Sequence, residues 1–453
     1  MFRKSLPYIK DTSKWFEVIK HLRHPVFFDS CYAYLSDPIQ HARFDILVFD
    51  PFIEIKSQGN KTYIKKDDIE FISDESFISV VDSIYDQYRV DEKPDLPFTG
   101  GFVGFLSYEA MSISKSKQNL IPKEIICAYD KAIVVDHEKK ETFFINAFSD
   151  DIKTYEILNV NFESSEFNDL PFCAEEINSD EKLEREIYAS KFNTIMNHIN
   201  EGDVYQVNLA KKYSTKYVGS EWNFYKKFRK FNQSSYMVFA DYDDFKVASG
   251  SPEQFIEVSQ GVVTSRPIKG TVKRELDPIK DIVQINKLKQ SEKDHAENLM
   301  IVDLIRNDIG KDCETGSVFV EELFEVETYP NVHHLVSKIK GKIKSTNTPF
   351  QLFVDSFPGG SITGAPKIKA MEIIDKLEDF PREIYCGSFF YYSFNGNFNS
   401  NIAIRSIFFH EHMMHYFSGG GITKYSNVNE EFDEIVQKAK NIENTINSFK
   451  NNI

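Results

Sequence analysis

Several chemistries are excluded by what this 453-residue chain lacks. Its five cysteines, Cys31, Cys127, Cys173, Cys313 and Cys386, are odd in number, scattered and without a CxxC pair. That argues against a disulfide framework or a cysteine metal site and fits a reducing, cytoplasmic setting. Positive charge is in deficit, with 54 Lys and Arg against 69 Asp and Glu and a formal net charge of -15. A polyanion needs clustered cations, so nucleic acid is excluded as the main partner, while a small anion focused by a few local cations is not. No stretch approaches the roughly 18 apolar residues of a membrane span, and the start, MFRKSLPYIKDTSKWF, has no apolar signal segment. The expected location is cytoplasmic.

Nucleotide and zinc signatures are missing too. PFTGGFVGFLSYEA (97–110) contains no GxGxxG and opens no helix, so it reads as a glycine-punctuated, closely packed strand or turn. FPGGSITGAPKIKAMEIID (357–375) lacks the Gly-Lys-Ser/Thr of a phosphate loop. Its amides at a helix start, with Ser361 and Thr363, could still receive a carboxylate, the simpler reading being a helix cap. HEHMMH (410–415) fails the zincin spacing, because Met414 stands four places after His410, and it reads as a hairpin tip.

What is present calls for a large interior: 40 Phe and 22 Tyr in a chain that is 41% hydrophobic. Residues 42–56 and 125–148 run apolar with β-branched and aromatic residues, as strands do, and YQVNLAKKYS, SYMVFADY, FKVASG and QFIEVSQGVVTS follow after 204. A helical pattern from Leu183 to about Asn200 stops near Gly202. The acidic, weakly periodic stretch 149–183 places a boundary near 178, giving regions 1–178 and 179–453. Strand runs followed by helices predict an α+β fold with antiparallel sheets.

Two helices carry carboxylates that invite explanation. Residues 299–305 are apolar nearly all round, so Glu297 one turn earlier points along a largely buried face, where a carboxylate must be paired, protonated or bound to a cation. In NVNEEFDEIVQKAKNIENTI, Glu431, Glu434 and Lys438 line up beside the apolar stripe. A Glu434 to Lys438 surface pair is the plain reading; a hard cation held by one carboxylate from each helix is the sharper one. In SRPIKGTVKR (265–274), Lys269 between Pro267 and Gly270 reads as a turn lysine when taken alone.

The motifs GDVYQVNLA, GSPEQFIEV, RPIKGT, AENLMIVDLIRNDIG, FPGGSITGAPK, IAIRS and SGGGI with EEFDEIVQKA follow in this order from 202 to 440. Together they resemble the chorismate-utilising enzymes of the anthranilate synthase component I type, and HARFDILVFDP extends the resemblance over nearly the whole chain. It implies two packed antiparallel sheets surrounded by helices, with the site in a cleft mostly from the C-terminal part. Gln206 stands where water-adding relatives carry a lysine, and Lys269 where anthranilate synthases carry alanine. Both imply the branch that uses ammonia and aminates at the para position.

The resemblance implies that chorismate and ammonia give 4-amino-4-deoxychorismate, on the way to para-aminobenzoate and folate. Glu253 would protonate the C4 hydroxyl while the Lys269 amine adds at C2, and ammonia would then enter at C4 as the lysine leaves. Glu297 and Glu434 match Mg2+ ligands. Arg405, Tyr391, Lys438, Thr363 and the amides of Gly419, Gly420 and Gly421 match positions receiving substrate carboxylates, and His334 and Gln206 line the same pocket. Ser30, His41, Ala42, Arg43, Phe44, Ser235, Tyr236 and Met237 align with an L-tryptophan pocket, although the loop from Ser30 to Arg43 is longer and a proline near Ser235 is missing. Phe390 and Asn399 also depart from the pattern, at positions that could reshape the pocket. No glutaminase signature is present, so a separate glutamine amidotransferase subunit is the expected ammonia source. An anthranilate synthase large subunit and a silent tryptophan-binding paralogue are the alternatives.

Overall fold

The computed structural model describes residues 1–35, 42–58, 61–67, 69–90, 95–111, 117–164, 170–176, 180–329 and 332–449. Among them two antiparallel twelve-stranded sheets pack face to face. The first runs Phe2–Leu6, Glu141–Asn146, Lys131–Asp136, Phe44–Val48, Val26–Asp29, Tyr236–Tyr242, Phe245–Ser251, Ser406–His410, Met413–Thr423, Gln206–Val218 and Cys173–Ala174, with Gly364–Ala365 also on Gln206–Val218. The second runs Ile268–Lys273, Val332–Lys342, Val262–Ser265, Gln254–Ser259, Phe398–Asn401, Ser388–Ser393, Gly101–Leu106, Glu124–Tyr129, Ile53–Gln58, Lys61–Lys66 and Ile69–Ser73, with Phe319–Thr328 on Val332–Lys342.

The long apolar runs have a simple cause: the first sheet is covered on both faces. In Tyr236–Tyr242, Val238 and Ala240 point into the core between the sheets, whereas Met237 and Phe239 join a second core under the outer helices. Alternation along the strand therefore selects between two interiors, and both sets of residues are apolar. Phe105 of the second sheet meets Tyr242 and Phe245 of the first at 5.8 and 5.9 Å, which seats one sheet on the other.

Both halves of the chain feed both sheets. Phe27 pairs with Phe239 in the first, and Phe102 with Tyr392 in the second. The division at 178 falls outside the described residues. Near it the structure adds elements that the acidic composition concealed. Ile152–Ser164 is a helix and Cys173–Ala174 a short strand. That helix has little amphipathic character of its own and is held by tertiary contacts, Phe162 stacking on Trp15 at 4.1 Å with Leu158 buried.

Three of the longer helices begin where side chains cap them. Asp180 accepts from the Lys182 and Leu183 amides to open Glu181–Asn200, Ser291 from Asp294 to open Glu292–Gly310, and Asn427 from Asn429 and Glu430 to open Val428–Asn447. HEHMMH is a hairpin tip: Ser406–His410 pairs with Met413–Thr423 around Glu411 and His412, whose φ angles of 47° and 62° suit a tight two-residue turn.

Candidate active site

Glu253 lies where the chain leaves the first sheet at Ser251 and enters the second at Gln254. The Ser251 hydroxyl donates to the Ile402 carbonyl at 2.6 Å and accepts from the Glu253 amide at 3.1 Å, so the corner is fixed from within. The carboxyl is 5% exposed. Burial pushes its pKa up, while the Lys269 ammonium, the Ser361 hydroxyl and the Ile268 amide pull back toward the ionised form.

Lys269 sits on the edge strand Ile268–Lys273, where the pairing with Val332–Lys342 shifts register between Ile268 and Thr271. Gly270 supplies the kink with φ of 86°, and a side chain there would fall 2.9 Å from Leu288 and Asp294. The lysine is thereby turned toward the short helical turn Gly360–Ile362, its Nζ donating to the Ser361 carbonyl at 3.1 Å. The Ser361 hydroxyl donates to Glu253 Oε1 at 2.9 Å. One residue therefore holds both groups, its carbonyl the amine and its hydroxyl the acid.

A carboxylate group faces them from the two helices. Burial raises the pKa of Glu297, Lys269 and Lys293 oppose the rise, and Asp294 and Glu431 add to it. Glu431 is 3% exposed and accepts from the Ser426 hydroxyl at 2.6 Å, and burial raises its pKa too. Glu434 is half-exposed, and its pKa is lowered: burial works against this, but Lys438, 2.8 Å away, outweighs it. Lys438 also donates to the Gly419 carbonyl at 3.0 Å. All-carboxylate donors on opposed helices suit a hard divalent cation. As a set these oxygens are not drawn within 4.8 Å of one another; among the described residues His198, Glu201 and Asp203 alone form so tight a group. That group closes the end of helix Glu181–Asn200, with His198 Nδ1 2.8 Å from Asp203.

The wall of the site is built from paired strands. Gln206 lies opposite Thr423, and Asn208, Leu209 and Ala210 lie opposite Gly421, Gly420 and Gly419. A side chain at Gly421 would fall 2.6 Å from Gln206 Nε2, so the amide would have to shift to admit one. Gln206 is fully buried, and neither Nε2 nor Oε1 has a hydrogen-bond partner among the described residues. Thr363 is buried, donating to the Gly359 carbonyl at 3.0 Å. Arg405 is the available cation: burial lowers its pKa, with Glu253 opposing, and no carboxylate comes within ion-pair distance of it among the described residues. Burial and the Arg405 charge hold His334 neutral, with a pKa pushed down to about 3, and its Nδ1 lies 2.8 Å from the Thr271 hydroxyl.

Tyr391 is placed elsewhere. Its ring packs edge-on to Phe28 at 5.6 Å and Phe98 at 5.9 Å, on the wall of a separate cavity of about 530 Å³ between the sheets. The tyrosine beside the glycine strand is Tyr385, whose hydroxyl a side chain at Gly419 would meet at 2.6 Å. The cavity gathers Ser30, Arg43, Phe44, Ser235, Tyr236 and Met237. Ala42 is buried but not on its lining, and His41 lies outside the described residues. Phe390 points away from both sites, stacking on Phe398 in the core, whereas Asn399 lines the cavity opposite its strand partner Tyr391.

Residues 30–444 match the family described as chorismate binding enzyme. The chain belongs to that family. It is 37% identical over 413 residues to aminodeoxychorismate synthase component 1 of Klebsiella aerogenes, covering 89% of this chain and 90% of the relative. The same protein of Escherichia coli (strain K12) is 35% identical over 438 residues, covering 94% of each. The crystal structure of anthranilate synthase component I from Streptococcus pneumoniae TIGR4 is similar with a TM-score of 0.75 and 29% identity, covering 89% of this chain and 92% of that one.

Within this chorismate binding enzyme, four contributors escaped the sequence reading of the site. Ser361 and Glu431 were visible there only as a possible cap and as part of a stripe, Tyr385 lay outside the motifs, and Lys293 carried no local signal. No helix among the described residues is long and apolar enough to cross a membrane.

Proposed function

We propose that this chain converts chorismate and ammonia to 4-amino-4-deoxychorismate. The observation that carries the reading is the Ser361 bridge, which sets one amine and one carboxyl side by side in a water-poor corner. Glu253, kept protonated more readily by burial, gives its proton to the departing C4 hydroxyl as the deprotonated Lys269 amine forms a bond to C2. Ammonia then attacks C4, the ring double bond shifts back, and the C2–N bond to Lys269 breaks. Two easier displacements replace one hard one.

Arg405, Lys438, Thr363 and the Gly419–Gly421 strand receive the substrate's carboxylates, with His334 and Gln206 closing the pocket. Glu297 and Glu434 would hold Mg2+, which would offset their charge and supply positive charge for an anionic substrate. The relatives' designation as component 1 fits a separate glutamine amidotransferase subunit as the ammonia source. The cavity between the sheets takes L-tryptophan in this reading, with Ser235 Oγ and Gln254 Oε1 buried there without partners among the described residues. Five unpaired cysteines fit a cytoplasmic protein.

The test is incubation with chorismate, Mg2+ and ammonium, with the product identified by chromatography. The expected product is 4-amino-4-deoxychorismate, and Lys269→Ala should abolish it. Anthranilate would show the ortho-aminating chemistry that the name of the Streptococcus pneumoniae structure describes. No turnover by folded protein would favour a silent paralogue.

A further inference from the structure

Three carboxylates, Glu297, Glu431 and Glu434, face three lysines, Lys269, Lys293 and Lys438, with Asp294 adding a fourth negative charge beside Glu297, so most of the negative charge in this corner is already offset without a metal. Two of the lysines are otherwise engaged. Lys269 bonds the Ser361 carbonyl, and Lys438 bonds both Glu434 and the Gly419 carbonyl. Lys293 is different. It stands one turn before Glu297 on the helix Glu292–Gly310, its side chain is 46% exposed, and its Nζ lies 3.7 Å from Glu431 Oε1 on the opposite helix. Glu297, Glu431 and Glu434 all act on its charge. The lysine thus reaches from one carboxylate helix to the other, and the three carboxylates are not gathered within 4.8 Å of one another.

We infer that the Lys293 ammonium is a built-in competitor for the divalent cation, occupying the space between Glu297, Glu431 and Glu434 and leaving when the metal enters. This rests on the reading that these helices hold Mg2+. The argument is electrostatic. A divalent ion entering among three lysines adds two positive charges close to their ammonium groups, and like charges at this spacing repel strongly, less where water screens them. Relief comes from moving the cation that is both nearest to solvent and least bound. Lys293 meets both conditions, since its long stem can swing its head into water at little cost.

The test is isothermal titration of Mg2+ alone, without chorismate, into the full chain, the Lys293→Met variant and the Lys289→Met variant. Lys289 carries the same charge at the end of the neighbouring helix Pro278–Lys289 and is not among the groups acting on the three carboxylates. Lys293→Met should bind Mg2+ roughly tenfold more tightly, with Lys289→Met unchanged. Equal or weaker binding by Lys293→Met overturns the inference while leaving the metal site standing. Equal tightening by both variants also overturns it, because the effect would then be bulk charge. Saturable binding in none of the three removes the metal reading itself, and the competitor with it.

Discussion

Replacing Ser361 by alanine separates the two contacts that this residue makes. Its carbonyl still accepts from Lys269, so the amine keeps its partner, but the hydroxyl donated to Glu253 Oε1 at 2.9 Å is lost. A hydrogen bond to a buried charged group contributes about 1.5 to 3 kcal/mol. The bond favours the ionised carboxylate, so its loss raises the Glu253 pKa further above an already raised value, and one pH unit in a titration corresponds to about 1.4 kcal/mol. The sign is definite: the group stays protonated to higher pH and becomes a weaker acid. The basic limb of kcat/KM for chorismate should therefore move up by about one to two pH units, while the plateau falls on the order of tenfold because the proton is given up less readily. The assay is chromatographic detection of the aminated product from pH 6 to pH 10, with wild type measured at the same total ammonium so that ammonia's own titration cancels. A basic limb that stays put, or moves down, in a protein with the wild-type unfolding midpoint would show that Glu253 is not the acid whose ionisation limits the reaction.

The remaining predictions concern the cavity and the charge network behind it. Native mass spectrometry of the purified protein, or calorimetry with added L-tryptophan, should show one saturable ligand per chain; an empty protein that L-tryptophan does not titrate would leave the cavity without that role. Asp45 accepts from the Ser30 amide at 2.7 Å, from its hydroxyl at 2.6 Å and from His137 at 2.8 Å. Burial alone would raise its pKa, but His137 and these donors hold it at about 2. Because the folded value lies below an unfolded value of about 3.9, the group adds stability, on the order of 2 kcal/mol, that is complete above about pH 4 and lost as pH falls through about 2. Asp45→Asn should be less stable at neutral pH and show a shallower fall in stability between pH 4 and pH 2, read by denaturant unfolding at each pH. A slope equal to that of wild type would refute the assignment.

Much of the site was legible because its groups are carried by local patterns. Lys269 and Gly270 are neighbours, and the positive φ of that glycine is what turns the lysine inward. Glu297 shows itself as a carboxylate on an apolar helix, and Gln206 and the three glycines lie on paired strands whose alternation is plain in sequence. The fold class was legible for the same reason, strand runs in a chain with too many aromatics for one thin layer. What stayed hidden was the assignment of a face. Tyr391 and Tyr392 are adjacent, and a strand sends adjacent side chains to opposite sides, so one residue of register decides whether a tyrosine meets the cavity or the core. Tyr385 lies outside the strand Ser388–Ser393, in a stretch whose direction depends on the Arg382 guanidinium, clamped to Glu378 and to the Ile362 and Asn208 carbonyls.

The two sites stand back to back, and the backbone explains why. Glu253 and Gln254 are consecutive, yet the first bonds Ser361 in the reactive corner and the second lines the cavity with a bond to Glu257 at 3.1 Å. The Ile402 amide holds the Glu253 carbonyl at 3.0 Å, while Asn401, one residue earlier, lines the cavity and reaches the Tyr236 carbonyl, also at 3.0 Å. Two antiparallel segments therefore each present one residue to the acid and the next to the cavity. Gln254 and Asn401 therefore share with Glu253 and Ile402 the peptide units that hold the acid in place. The separation of the cavity from the reacting groups is thus a separation of faces and not of chain, which is why a sequence window that finds the acid finds the cavity one residue away.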